Sequence, residues 1–346
     1  MTSSTRASAS AEALPAPLLA VTSLALDADP SSPLIEDLSF TLDRGETLAI
    51  VGESGCGKSL TSLAVMQLLP TNLARSARGK IRLDGEDLTR MKPRQLQRLR
   101  GDRMAMIFQE PLTALNPVMS VGAQIAEVLR DHRGLSRAVA LSRAETLLGM
   151  VGIPDPGARL GDHPHQLSGG MRQRVTIAMA MACEPDLIIA DEPTTALDVT
   201  VQAQILRLLA DLQARSGMAM IMITHDLGVV RQVADRMVVM YAGTMVEEGR
   251  VADVLTRPHH PYTAGLIAAR PSGAFKQDGR KLNDIPGMVP APSARPAGCL
   301  FQPRCAQARP DCAAARPEVA EDAGGTAPRR WRCFHPLNRP EPGEES

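Results

Sequence analysis

Gly52-Glu53-Ser54-Gly55-Cys56-Gly57-Lys58-Ser59 follows the apolar run 47–51 and precedes a helical stretch at 60–69. The spacing is G-x-x-x-x-G-K-[ST], set between strand and helix as a phosphate-binding loop requires. Its glycines let the backbone curl until N–H groups point inward at phosphate oxygens, and the helix N-terminus adds positive potential. In that reading Lys58 neutralises the terminal phosphates of a nucleoside triphosphate and Ser59 offers a hydroxyl to Mg²⁺. Cys56 fills a variable position of the loop and takes no redox role.

Working outward, short β-type runs at 104–108, 187–190, 218–224 and 237–241 join 47–51, with helical runs at 199–214 and 227–234 between or beside them. This alternation predicts an α/β fold, a mostly parallel sheet covered by helices on both faces. The stretch 114–183 has helical periodicity and no convincing strand, so a helical subdomain inserted into the sheet domain is expected there. After residue 257 Pro, Gly, Ala and Arg dominate and four cysteines appear, which reads as a loop-rich appendage rather than more sheet. The expected division is a disordered Ser/Ala-rich segment at 1–17, a nucleotide-binding domain at 18–257 and an extension at 258–346.

The 346 residues carry a formal net charge of zero and only 2% aromatic residues. Neither feature suits a nucleic-acid partner, which needs a basic face or rows of stacking rings. The basic stretch 90–103 reads as a solvated helix face, because no aromatic residue interleaves with it. No apolar run reaches the 18 or more residues of a membrane span. Residues 18–26 are too short and too polar for a signal-peptide core and read as a first strand, so a cytoplasmic location is expected.

A second acidic site lies at Leu187-Ile188-Ile189-Ala190-Asp191-Glu192, an apolar strand ending in two carboxylates. Asp191 suits Mg²⁺ coordination, and Glu192 suits a base that takes a proton from an attacking water. Leu167-Ser168-Gly169-Gly170-Met171-Arg172-Gln173 opens an apolar helix ahead of that strand. Its Ser-Gly-Gly turn offers a hydroxyl, unobstructed N–H groups and a helix dipole to an anion.

With these residues in place the sequence resembles the ABC ATPase family, whose signature reads LSGGQ; Met171 stands where Gln is commonest. The resemblance implies an ABC-type fold, and ATP and Mg²⁺ in the site formed by Gly52 to Ser59. It also implies that Ser168, Gly169 and Gly170 meet the γ-phosphate of ATP held by a second ABC ATPase subunit, a paralogue or a second copy. Gln109 matches the family's Q-loop glutamine, an expected Mg²⁺ and water contact. Ala196-Leu197-Asp198 matches the D-loop, which places Asp198 at the subunit interface, and His225 matches the switch histidine. Catalysis is accordingly expected from Glu192, His225 and Gln109. The aromatic residue that usually stacks on adenine is missing, since none occurs before Phe40; Phe40 reads as core, and Leu24 or Leu26 are the expected substitutes.

Local sequences at 110–117, 258–263 and 285–305 resemble the peptide and nickel importer subset. They imply import of di- or oligopeptides, with nickel or another small solute as the alternative. Two transmembrane permease subunits, an extracytoplasmic solute-binding protein acting indirectly, and a peripheral place on the cytoplasmic face of the cell membrane follow from the same resemblance. An ATPase of DNA repair or translation fits less well, because Lys58 and Asp191 stand only 133 residues apart and the chain holds a single cassette.

Cys299, Cys305, Cys312 and Cys333 are separated by five, six and twenty residues. In a reducing compartment four clustered thiols suggest a metal, and their spacing suits an iron–sulfur cluster better than zinc, with free thiols as the third reading. The importer extension that this segment resembles carries a four-cysteine [4Fe–4S] site. Cys183 and the Met218-Ala219-Met220 run read as core, and His132, His163 and His165 receive no chemistry.

Overall fold

The structure is a computed structural model that describes residues 16–195, 197–269, 284–322 and 329–338. The expectation of disorder at 1–17 therefore falls almost wholly outside the described residues.

The chain opens with β1 (Leu19–Asp27) and β2 (Pro33–Leu42), antiparallel partners in a four-stranded sheet completed by β4 (Arg78–Leu83) and β5 (Glu86–Asp87). Both long strands change phase midway. Leu19 and Val21 face inward, then Leu24 and Leu26 do, because the register slips at Ser23, whose φ is +48°. A bulge of this kind lets a strand keep its apolar side on the core while it twists.

The second sheet holds eight strands among the described residues. Its parallel part is β3 (Thr47–Val51), β6 (Met104–Ile107), β7 (Leu187–Asp191), β8 (Ala219–Thr224) and β9 (Arg236–Tyr241), in the spatial order β9-β3-β8-β7-β6. β3, β7 and β8 are buried along their whole length, as strands covered on both faces must be, and this is why they read as unbroken apolar runs. Between β6 and β7 the described chain is helical, with Val121–Arg133, Arg137–Met150 and Gly169–Met181 the long elements. Ser120, Ser136 and Ser168 cap these three helices by accepting a main-chain N–H, and Gly134 ends the first with φ +65°.

The extension corrects one expectation. It is not merely loop: β11 (Ala320–Asp322) and β12 (Arg329–Trp331) continue the main sheet through antiparallel pairing of β12 with β10 (Thr244–Arg250), which itself pairs with β9. The physical reason lies in Glu247 and Glu248, two adjacent acids of β10 that are both buried. Arg329 donates to Glu247, while Arg330 and Arg236 donate to Glu248. A buried carboxylate requires such partners, and the extension supplies them by adding a strand.

An apolar cluster lies under this junction. Tyr241, Tyr262 and Phe301 meet with ring centroids 4.7 to 5.4 Å apart, tying β9, the helix Pro261–Ala268 and the cysteine-bearing segment together.

Candidate functional site

The loop after β3 is curled as its glycines allow. Gly55 and Gly57 have φ of +78° and +101°, and a Cβ at Gly52 would lie 2.2 Å from the Met240 carbonyl oxygen. That approach is closed to any other residue. Gly57 caps the helix Lys58–Val65, so the helix begins at the lysine itself, two residues earlier than the sequence pattern predicts. Lys58 Nζ donates to the carbonyls of Gly52 (2.8 Å) and Glu53 (3.1 Å), a folded-back position from which it faces the hollow of the loop. Ser54, Gly55 and Ser59 are exposed on the rim, and Cys56 is buried beneath it. Burial pushes the Cys56 thiol up, which keeps it protonated and unreactive.

At the end of β7, Asp191 Oδ1 accepts from Ser59 Oγ at 3.2 Å. Asp191 is buried; burial raises its carboxyl above the usual range and the charge of neighbouring Glu192 adds to the rise. Two adjacent acids with the Ser59 hydroxyl in contact form a donor set suited to a hard cation held by oxygen ligands. Glu192 has φ +44°, a left-handed conformation that swings its side chain away from the strand direction. Strain of this kind is held by surrounding structure. Here the Glu192 N–H donates to the Ile223 carbonyl at 2.9 Å.

Three groups converge on the Glu192 carboxylate. Gln109 Nε2 donates to Oε2 at 3.1 Å, Thr195 Oγ1 donates to the same oxygen at 2.9 Å, and His225 Nδ1 lies 3.3 Å from Oε1. Gln109, Glu192 and His225 follow β6, β7 and β8, which are adjacent strands. The carboxyl ends of neighbouring parallel strands are where an open α/β sheet gathers its ligands. Thr195 was missed by sequence reasoning; its only signal is its place three residues after the acid.

Ser168, Gly169 and Gly170 stand apart from these groups, at the start of the helix Gly169–Met181, with Ser168 and Gly169 exposed. Ser168 Oγ accepts the Met171 N–H at 3.3 Å. A Cβ on Gly170 would meet Val201 Cγ1 at 2.8 Å, so the turn packs directly on the helix Val199–Ser216. Asp198 caps that helix by accepting the Val201 N–H at 2.9 Å. Ala196 lies outside the described residues.

Leu24 and Leu26, expected near adenine, are corrected by the structure: both are buried in the core between the two sheets, with Phe40. The slip at Ser23 turns them inward, and they offer no free face to a base.

Cys299, Cys305, Cys312 and Cys333 line one small cavity together with Phe301, Phe334 and His335. None is disulfide-bonded. Burial pushes the thiols of Cys299, Cys305 and Cys333 up, that of Cys333 to about 11. Among the described residues the single trio of ligand atoms within 4.8 Å of one another is Asp311, Cys312 and His335. The four sulfurs are therefore spread more widely than one tetrahedral zinc ion takes, whose sulfurs would stand roughly 3.8 Å apart for Zn–S bonds of about 2.3 Å.

Residues 35–195 match the ABC transporter family, and residues 246–312 match the family described as oligopeptide/dipeptide transporter, C-terminal region. The chain is 51% identical over 271 residues to the dipeptide transport ATP-binding protein DppD of Bacillus subtilis, covering 78% of this chain and 80% of that protein. It is 47% identical over 312 residues to the protein of the same name from Escherichia coli, covering 90% and 94%. Among solved structures it resembles the dimeric ATP-binding cassette MJ0796 in a post-hydrolysis state bound to ADP and Pi. The TM-score is 0.60 and the identity 26%, over 67% of this chain and 98% of that one.

Proposed function

The chain belongs to the ABC transporter family, and from that premise we propose that it is the ATP-binding, ATP-hydrolysing subunit that energises import of di- or oligopeptides. The observation that carries the catalytic reading is the convergence of Gln109, Thr195 and His225 on one carboxylate, beside the contact of Asp191 with the phosphate loop.

In this reading the triphosphate of ATP enters the curl from Gly52 to Ser59, and Lys58 exchanges the Gly52 and Glu53 carbonyls for phosphate oxygens. Ser59 and Asp191 would hold Mg²⁺, with Gln109 beside it; the ion supplies charge neutralisation at the phosphates. Glu192 takes a proton from water as the water oxygen bonds to the γ-phosphorus. The bond from that phosphorus to the bridging oxygen breaks, leaving ADP and inorganic phosphate. Gln109, Thr195 and His225 hold the carboxylate in the orientation this transfer needs.

Ser168 and Gly169 are exposed and share no hydrogen bond with the Glu192 carboxylate, which supports their use, with Gly170, on the nucleotide of a second cassette, with Asp198 at the same interface. Among the described residues no helix is long and apolar enough to cross a membrane. An importer ATPase acts with membrane permease subunits; a pair of them docking beside 109–117 at the cytoplasmic face, served by an extracytoplasmic binding protein, completes the proposal. The four cysteines would hold a [4Fe–4S] cluster, whose contribution is to fasten the extension; the cavity they share supports this reading.

Glu192→Gln tests the chemistry. The variant should bind ATP and form a stable dimer while hydrolysis falls by roughly 10²-fold or more. Turnover at the wild-type rate would remove Glu192 as the base.

A further inference from the structure

The extension that carries the cysteines reaches into the phosphate loop. Arg304 precedes Cys305, and its guanidinium forks onto the Glu53 carboxylate, with Nη1 2.8 Å from Oε2 and Nη2 3.1 Å from Oε1. The same side chain donates from Nε to the Pro286 carbonyl at 2.9 Å and from Nη2 to the Ile285 carbonyl at 3.2 Å. It also lies over the Tyr241 ring, 5.8 Å from the centroid. The Arg304 side chain is only 6% exposed and every nitrogen of its fork is engaged.

Glu53 is the second residue of the loop and is held on three sides. Its carboxylate meets Arg304, its N–H donates to the Tyr262 hydroxyl at 2.9 Å, and its carbonyl accepts from Lys58 at 3.1 Å. Tyr262 follows His260 and Pro261, which line the cysteine cavity with Phe301. The carboxylate of Glu53 is also a negative charge at the mouth of a site that must take a polyanion. A bidentate arginine cancels that charge and fixes the backbone that carries it.

We propose that Arg304 and Tyr262 are positioning residues for nucleotide binding. They neutralise and fasten Glu53, so that the phosphate loop takes ATP well only while the cysteine-bearing extension is folded against it. The inference rests on the ATP-site reading and adds a dependence of that site on the extension.

The test is binding of ATP to the full chain by titration calorimetry. Arg304→Met should weaken ATP about tenfold, which is ~1.4 kcal/mol, by exposing the phosphates to an uncompensated carboxylate. Adding Glu53→Gln in the same chain should recover affinity to within about threefold of wild type, since the repelling charge is then gone. Loss of packing alone would not be rescued in this way. Trp331, the chain's one tryptophan, sits in β12 and reports whether the extension stays docked. If Arg304→Met alters its emission, Tyr262→Phe decides the matter: it deletes only the acceptor of the Glu53 N–H and should cost about threefold in affinity. Wild-type affinity in Arg304→Met, a double variant no tighter than Arg304→Met, or unchanged affinity in Tyr262→Phe overturns the inference. A wild-type chain that binds no ATP would instead overturn the functional reading.

Discussion

Replacing Glu247 with alanine should undock the extension from the cassette. The Glu247 side chain is fully buried; Oε1 accepts the His259 N–H at 2.8 Å and Arg329 Nη2 at 2.9 Å, and Oε2 accepts the His260 N–H at 2.9 Å. Alanine strands two buried main-chain donors, at about 1–3 kcal/mol each. Arg329 loses less, because it keeps the Arg257 carbonyl. The expected loss is about 4 kcal/mol, and Glu247→Gln, which keeps one acceptor oxygen, should lose about half of that. Trp331 stands opposite Glu247 in the strand register, so its emission follows this junction directly. Urea titrations read by Trp331 emission and by far-ultraviolet circular dichroism should separate: the emission midpoint falls well below that of the cassette. An emission midpoint equivalent to less than about 1 kcal/mol of change would refute the argument.

Acid should weaken the same junction. Burial and the nearby Arg329 push His259 down to about 4, and burial pushes His260 down to about 3; both stay neutral in the folded chain, whereas the unfolded chain takes up their protons below about 6.5. The stability they allow is therefore complete above pH 6.5 and lost as pH falls toward 4, at about 2 kcal/mol per histidine by pH 5; a Trp331 transition that strengthens between pH 7.5 and 5 would contradict this. Chain purified without oxygen should carry about four iron atoms and acid-labile sulfide, measured by metal analysis, and zinc in their place would exclude the cluster.

The parallel half of the sheet was legible because of how it is covered. β3, β7 and β8 are packed on both faces, so no polar residue interrupts them and each reads as a plain apolar run. β11 and β12 gave no such signal, being three residues each and too short for alternation to register. What places them is charge. Glu247 and Glu248 carry no local sign of burial, and the Arg329-Arg330 pair that partners them lies some eighty residues away. An adjacent acid pair inside a strand pattern was the available clue. The bulge at Ser23 was equally hidden, and it misdirected the expectation for Leu24 and Leu26 by turning them into the core.

The legible part of the site follows a related rule. A phosphate cradle is built from consecutive main-chain N–H groups, so its glycines must be close in sequence and cannot be disguised. Gln109, Glu192 and His225 are far apart in the chain, yet each follows a strand of one parallel sheet, and adjacency of β6, β7 and β8 brings them together. Arg304 and Tyr262 obey neither constraint: they reach Glu53 from outside the sheet, through a tertiary contact that no local pattern encodes. Ser168 and Asp198 occupy a middle ground. Each caps a helix, and Gly170 lets those helices touch at Val201, so the two residues ride on one rigid edge of the molecule. In the proposed pairing of two cassettes, a partner that engages Asp198 would meet the Ser168 turn in the same encounter, so the second nucleotide site would assemble with the interface in one step.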